Sequence, residues 1–172
     1  MRRKEKGFGL ISLAVAIAIG ALIAAGAGMT CIQIIKGTER NNNQAEVTQQ
    51  AHNLGRWFSR DAPMAEEITA GNDPETVDDE LLTIYWKDWE SGETYDISYI
   101  WLDDVDSLKK LKRNEVMRDK EGDVAENVTS LIAFSIYSAN LSQQNDTWIL
   151  NVETHSGNRS SVQEYRTTQR LN

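Results

Sequence analysis

From Gly7 to Ile35 the chain contains no charged residue, while everything from Lys36 onward is polar, acidic and rich in Asn, Asp, Ser and Thr. This division constrains the fold more than any other feature. An uninterrupted apolar run of this length satisfies its backbone in lipid only as a helix or a closed barrel, and a single segment can only be a helix. As a helix, Phe8 to Ile35 extends roughly 42 Å, more than the ~30 Å hydrocarbon core of a bilayer. The expectation is a membrane-spanning helix followed by a water-facing domain.

Charge sharpens the division. Arg2, Arg3, Lys4 and Lys6 against Glu5 give the first seven residues +3; taking that from the chain's −8 leaves −11 on the rest. The basic cluster before the apolar run should stay cytoplasmic and the acidic domain should be exported. An acidic surface speaks against phosphate-backbone binding, which needs clustered Lys and Arg, so no nucleic-acid site is expected. A secretory signal has a core of only about 7–15 apolar residues before its small-x-small site. Ala25 and Ala27 mimic such a site, but the run is about twice as long. A lipidated cysteine needs a small residue before it, and Gly28-Met29-Thr30-Cys31 places Thr there. Cys31 is the only cysteine, so no intrachain disulfide forms; it reads as a small buried hydrophobe.

The segment Lys4-Glu5-Lys6-Gly7-Phe8-Gly9-Leu10-Ile11-Ser12-Leu13 resembles the prepilin motif of type IV pilins and type II secretion pseudopilins. That motif is a short basic leader, a glycine, a phenylalanine and an apolar stretch. The resemblance implies cleavage between Gly7 and Phe8 by a prepilin peptidase on the cytoplasmic side, and methylation of the new Phe8 amine. It also implies, as partners, other pilin or pseudopilin subunits and an inner-membrane assembly platform. One position departs from the pattern. The family usually carries glutamate at the fifth mature position, where it is thought to pair with a neighbour's terminal amine; here that position is Ser12. A buried carboxylate implies a partner, so Ser12 removes that attraction and favours a minor, initiating or tip subunit over a major one. Gly9, Gly20, Gly26, Gly28 and many alanines make a thin helix suited to close helix packing.

Helical periodicity resumes after Lys36-Gly37. Val47, Ala51, Leu54, Phe58 and Ala65 fall on one face, with Gln44, Glu46, Gln49, Gln50, Asn53, Arg56 and Arg60 elsewhere. This predicts an amphipathic helix from about Glu39 to Arg60 or Asp61, ended or bent at Asp61-Ala62-Pro63. Gly37 and Asn41-Asn42-Asn43 are the places where the helix is most open to a break. Gly55 to Ala65 looks like the corresponding helix end of J-type minor pseudopilins and related minor pilins. Arg56 and Arg60, at i and i+4, read with Asp61 as surface ion pairs.

The remainder reads as an antiparallel sheet. Leu81–Trp86 and Thr94–Leu102 flank the turn Glu90–Glu93 and form a hairpin, with Tyr95, Ile97, Tyr99 and Trp101 on one side. Leu108–Arg118 alternates as a third strand. Val128–Tyr137 reads as a strand with Ile132, Phe134 and Ile136 inward. Trp148–Thr154 and Ser160–Arg166 follow, separated by a turn at His155–Asn158. A long helix before a sheet indicates α+β, and the resemblance implies a pilin-like lollipop. Its expected divisions are a leader at 1–7, a transmembrane or filament-core helix at 8–35, an amphipathic continuation at 36–62 and an exported sheet head at 63–172.

The sequence carries no CxxC, HExxH, GxxxxGK or GxSxG motif, and neither a catalytic nor a cofactor site is expected. His52 and His155 read as solvated residues. Asp78-Asp79-Glu80 and Asp103-Asp104-Val105-Asp106 offer the oxygen ligands that Ca²⁺ prefers, but neither has EF-hand spacing and no metal site is assigned. Asn127, Asn140, Asn145 and Asn158 start Asn-x-Ser/Thr triplets of a kind common in so Asn- and Ser-rich a chain. Trp86, Trp89 and Trp101 read as packed hairpin residues. The functional expectation is a non-enzymatic subunit of a type IV pilus, DNA-uptake pseudopilus or type II secretion pseudopilus. It would be anchored in the cytoplasmic membrane and taken into a filament by an assembly ATPase that lies outside this chain. The competing class is a single-pass anchored binding or sensor domain that never polymerises.

Overall fold

The computed structural model describes residues 9–71, 80–103 and 108–169. One helix, α1, runs without interruption over Leu10–Asp61, through both Gly37 and Asn41–Asn43. The chain divides into two compact units, one up to Asn42 and one from Asn43.

Over its residues 10–35 α1 carries no charge, and its side chains are exposed: Leu10 is 86% exposed, Leu22 75% and Ile35 67%. Cys31 is likewise exposed rather than buried. The helix is long and apolar enough to cross a membrane. Its hydroxyls turn inward: Thr30 Oγ1 donates to the Gly26 carbonyl at 3.0 Å, and Thr38 Oγ1 to that of Ile34 at 2.9 Å. These bonds to the carbonyl four residues back leave neither donor facing an apolar surrounding.

In the second unit the last turns of α1 bury Val47, Gln50, Ala51, Leu54, Gly55, Phe58 and Asp61, the spacing of one helix face. After a 3₁₀ turn at Ala62–Met64, the strands are β1 (Glu67–Ala70), β2 (Glu80–Lys87), β3 (Thr94–Asp103), β4 (Lys109–Arg118), β5 (Val124–Gln144), β6 (Thr147–Ser156) and β7 (Arg159–Thr168). Among the described residues they form one antiparallel sheet in the order β1-β2-β3-β4-β5-β6-β7. Each strand therefore pairs with its sequence neighbour, which short turns allow. Leu82, Ile84, Ile97, Tyr99, Leu111, Ile136, Leu150 and Val152, all fully or almost fully buried, carry the sheet side of the core. The chain just after β7 ties to that just before β1. The Gln169 amide donates to the Glu66 carbonyl and accepts from Trp148 Nε1 at 3.3 Å. Gly55 admits β7 to the helix: a Cβ there would lie 2.1 Å from the Tyr165 ring.

The α+β class and the expected strands are present, with several differences. Ala65 is fully buried but lies beyond the helix, in extended backbone after the 3₁₀ turn, because Pro63 has already ended the α-helical hydrogen bonding. Strand β1 was not anticipated: with four residues and a single buried side chain, Ile68, it carries almost no alternation. Phe134 is 39% exposed, whereas Ala133 beside it is buried. Register shifts in β5 opposite Lys109–Lys112 and at Ile136–Ser138, with Ser135 at φ 58°, break the two-residue alternation. The Phe134 N–H then donates to Gln50 Oε1 at 3.2 Å. His155 belongs to β6 rather than to the following turn. It is half-buried, stacked on Tyr137 with ring centres 4.5 Å apart and bonded to Glu153 at 2.9 Å. Trp86 does stack on Tyr95 at 4.0 Å and Trp101 packs against the core, but Trp89 is 69% exposed and donates to Glu66 at 2.8 Å.

Leu54 is fully buried where α1 meets the sheet. Leu54→Ala is expected to cost about 2–5 kcal/mol, read as a lowered thermal midpoint by circular dichroism of the detergent-solubilised chain. Leu22→Ala, on the uncovered apolar stretch, should leave that midpoint unchanged.

Candidate functional site

Two regions carry the chemistry. The first is the start of α1. Gly7 and Phe8 lie outside the described residues. Ser12 sits in the first turn of α1, exposed, and its hydroxyl makes no hydrogen bond among the described residues. The positions a Cβ would take on Gly20, Gly26 and Gly28 face open space. This stretch presents apolar side chains, small glycine gaps and one hydroxyl without a hydrogen bond among the described residues, a surface that lipid or other apolar helices can cover.

The second region is the C-terminal end of α1. Pairing Tyr99 with Arg113 and Ile97 with Glu115 across β3 and β4 puts an arginine on the inner face, beneath the helix end. Arg113 is 2% exposed. Its Nε donates to Asp61 Oδ2 at 2.7 Å and its Nη1 to Glu115 Oε2 at 2.5 Å. The Tyr99 hydroxyl donates to the same Asp61 oxygen at 2.8 Å, while Arg60 Nε reaches Oδ1 at 3.0 Å. The Trp57 ring lies close to two guanidiniums, 4.0 Å from that of Arg60 and 4.8 Å from that of Arg113. Asp61, expected as a surface pair, is 3% exposed. It does not cap the 3₁₀ turn because both carboxylate oxygens are already taken. Burial first, and the Asp61 charge second, push the Tyr99 hydroxyl far above its ordinary range. The hydrogen bonds to Asp61 and Glu115 hold the Arg113 guanidinium charged against the opposing effect of burial.

One signal for this cluster was legible. Arg113 shares its strand face with Leu111, and a cation at an inward position requires a buried anion. Which anion was not legible, because Asp61 lies 52 residues away along the chain. Of the other candidates, His52 is exposed on α1 with the Tyr165 hydroxyl 3.4 Å from Nδ1. Glu80 accepts from Thr83 at 3.0 Å, while Asp78, Asp79, Asp104 and Asp106 and the Asp103 side chain lie outside the described residues. Among the described residues no three metal-binding side chains converge.

Residues 2–28 match the family model described as the prokaryotic N-terminal methylation motif. The match spans the basic leader and most of the apolar run, and it supports a relation to the type IV pilin-like proteins. No curated protein and no solved structure matches the chain.

Removing the anion from a buried pair strands its partner. Asp61→Asn is expected to cost about 3–5 kcal/mol, measured by thermal or denaturant unfolding in detergent. The Tyr99 shift also fixes a pH dependence. Below about pH 10 tyrosine is protonated in both the folded and the unfolded chain, so its full contribution is present. Above that pH the unfolded chain ionises while folded Tyr99 resists, and stability falls. Tyr99→Phe should flatten this alkaline loss in unfolding measured from pH 9 to 11.

Proposed function

We propose that this chain is a structural, non-enzymatic subunit of a type IV pilin-like filament. The observation that carries the reading is the coincidence, in one segment, of the methylation-motif match over residues 2–28 with a charge-free helix that has no protein cover. A prepilin peptidase cuts between Gly7 and Phe8, the Phe8 amine is methylated, and the apolar helix stays joined to the second unit. The chemistry at Gly7 and Phe8 is done to the protein, not by it. The helix then leaves the cytoplasmic membrane to pack beside those of sister subunits on an inner-membrane platform, with the acidic sheet domain exported. Glycine gaps that meet no neighbour in the single chain suit such packing.

Ser12, where the family usually carries glutamate, supports a minor or tip role over a major one. A glutamate there gives a major subunit a charge-assisted contact with its neighbour, which a neutral hydroxyl without a carboxylate cannot replace.

Mass spectrometry of the chain isolated from its native membrane is the direct test. The expected product begins at N-methylated Phe8, lighter by the seven leader residues, and Gly7→Val should leave the leader attached. A native chain that starts at Met1 or Arg2 would instead mark a plain membrane anchor, and one starting near Cys31 would remove the shaft altogether.

A further inference from the structure

The acidic sheet domain carries a cationic ridge on α1 in which Arg56 has no partner among the described residues and Arg60 has one carboxylate. Arg56 and Arg60 stand at i and i+4 on the outer side of α1, one turn apart. A cavity opens on each side of them. One, of about 250 Å³, is lined by Asn53, Arg56, Trp57 and Arg60. The other, of about 430 Å³, is lined by His52, Gly55, Arg56, Ser59 and Arg60 of α1 and by Tyr165 of β7. No carboxylate lines either cavity among the described residues. Arg56 makes no ion pair or hydrogen bond among the described residues. Arg60 is 55% exposed, gives its Nε to Asp61 and stacks on the Trp57 ring at 4.0 Å, and its terminal nitrogens make no hydrogen bond among the described residues. Asp61 itself is buried and already accepts from Arg113 and Tyr99.

In a chain with 26 acidic against 18 basic residues, intramolecular partners for an exposed arginine are plentiful. A pair of them beside two cavities, with donors from Asn53 and Trp57 as an aromatic wall, is arranged for an anion from outside. We propose that the Arg56–Arg60 ridge is a docking site for an acidic peptide segment of a protein partner. Each cavity is wide enough for a side chain, and the guanidinium forks bind carboxylates in a bidentate manner. Two arginines are too few to hold a nucleic-acid backbone, whose affinity grows with the number of phosphates neutralised. A long polyanion laid along the ridge would also meet the negative surface around it. A short acidic segment meets only the ridge. This inference does not depend on whether the chain polymerises.

The test uses the full-length protein in a non-ionic detergent, titrated with a short oligoglutamate peptide, its oligoglutamine counterpart and a single-stranded DNA oligomer, at low and at physiological salt. The oligoglutamate peptide should bind, and its affinity should weaken as salt rises. Arg56→Gln should weaken it about tenfold, the worth of one charge-assisted contact, with the far-ultraviolet circular dichroism unchanged because Arg56 is exposed. Arg56→Lys should retain most of the binding. Absence of oligoglutamate binding, equal binding of oligoglutamine, equal or tighter binding of DNA, or an affinity insensitive to Arg56→Gln would each overturn the proposal.

Discussion

An apolar helix that its own chain leaves bare is the constraint from which the rest follows. The first unit of α1 exposes isoleucine after isoleucine on every side, and at about 25 cal/mol per Å² of apolar surface such a helix does not remain in water. Two surroundings can cover it: lipid, or other helices like it. The glycine gaps and the self-satisfied threonines are compatible with both. A subunit that moves from one to the other needs a helix surface that bilayer and filament core solvate about equally well. A charge on that surface would favour a protein partner strongly over lipid; at position 12 the chain carries an uncharged serine instead.

The second unit has the opposite problem. Its part of α1 has only one apolar face, and the sheet must find and hold that face. Hydrophobic burial does most of this but is not directional. Directional bonds fix where the helix sits. Near the start of the packed stretch, Glu46 accepts from Ser156 at 2.7 Å, Thr154 donates to the Val47 carbonyl at 2.8 Å, and Gln50 accepts from the β5 backbone. At the far end Asp61 binds β3 and β4 through Tyr99 and Arg113. With polar pins at both ends of a greasy stripe, sliding by one helical turn would leave several buried groups unpaired, each at about 1–3 kcal/mol.

Legibility in the sequence tracked how local each cause is. The charge-free run, the helix end at Pro63 and the β2–β3 hairpin depend on neighbouring residues and were readable from periodicity and turn chemistry. Phe134 was misplaced because a shift in strand pairing cannot be seen from alternation on one strand alone. Asp61 was half read for a related reason. Its i−1 and i−5 neighbours are arginines, and the expected pair with Arg60 forms, but Asp61 is buried and its second oxygen is held by Arg113 from β4. Arg113 could have been flagged as an inward charge, but naming its partner required the fold. The motif that residues 2–28 match is a linear pattern that does not depend on packing, so it could be read without the fold.

Charge also limits how such subunits sit together. On the proposed function, removing the leader's +3 would leave −11 on each chain, and helices packed side by side would bring these acidic domains close. At physiological salt, repulsion is screened beyond about 8 Å, so only charges at a contact surface matter. A contact between two carboxylate-bearing patches would be costly, while one that seats a carboxylate against exposed guanidiniums is favourable and selects its own orientation. Arg60 is held in position by a carboxylate that is itself locked by Arg113, so the orientation of the ridge is tied to the core of the sheet and not to the rotameric freedom of a surface side chain.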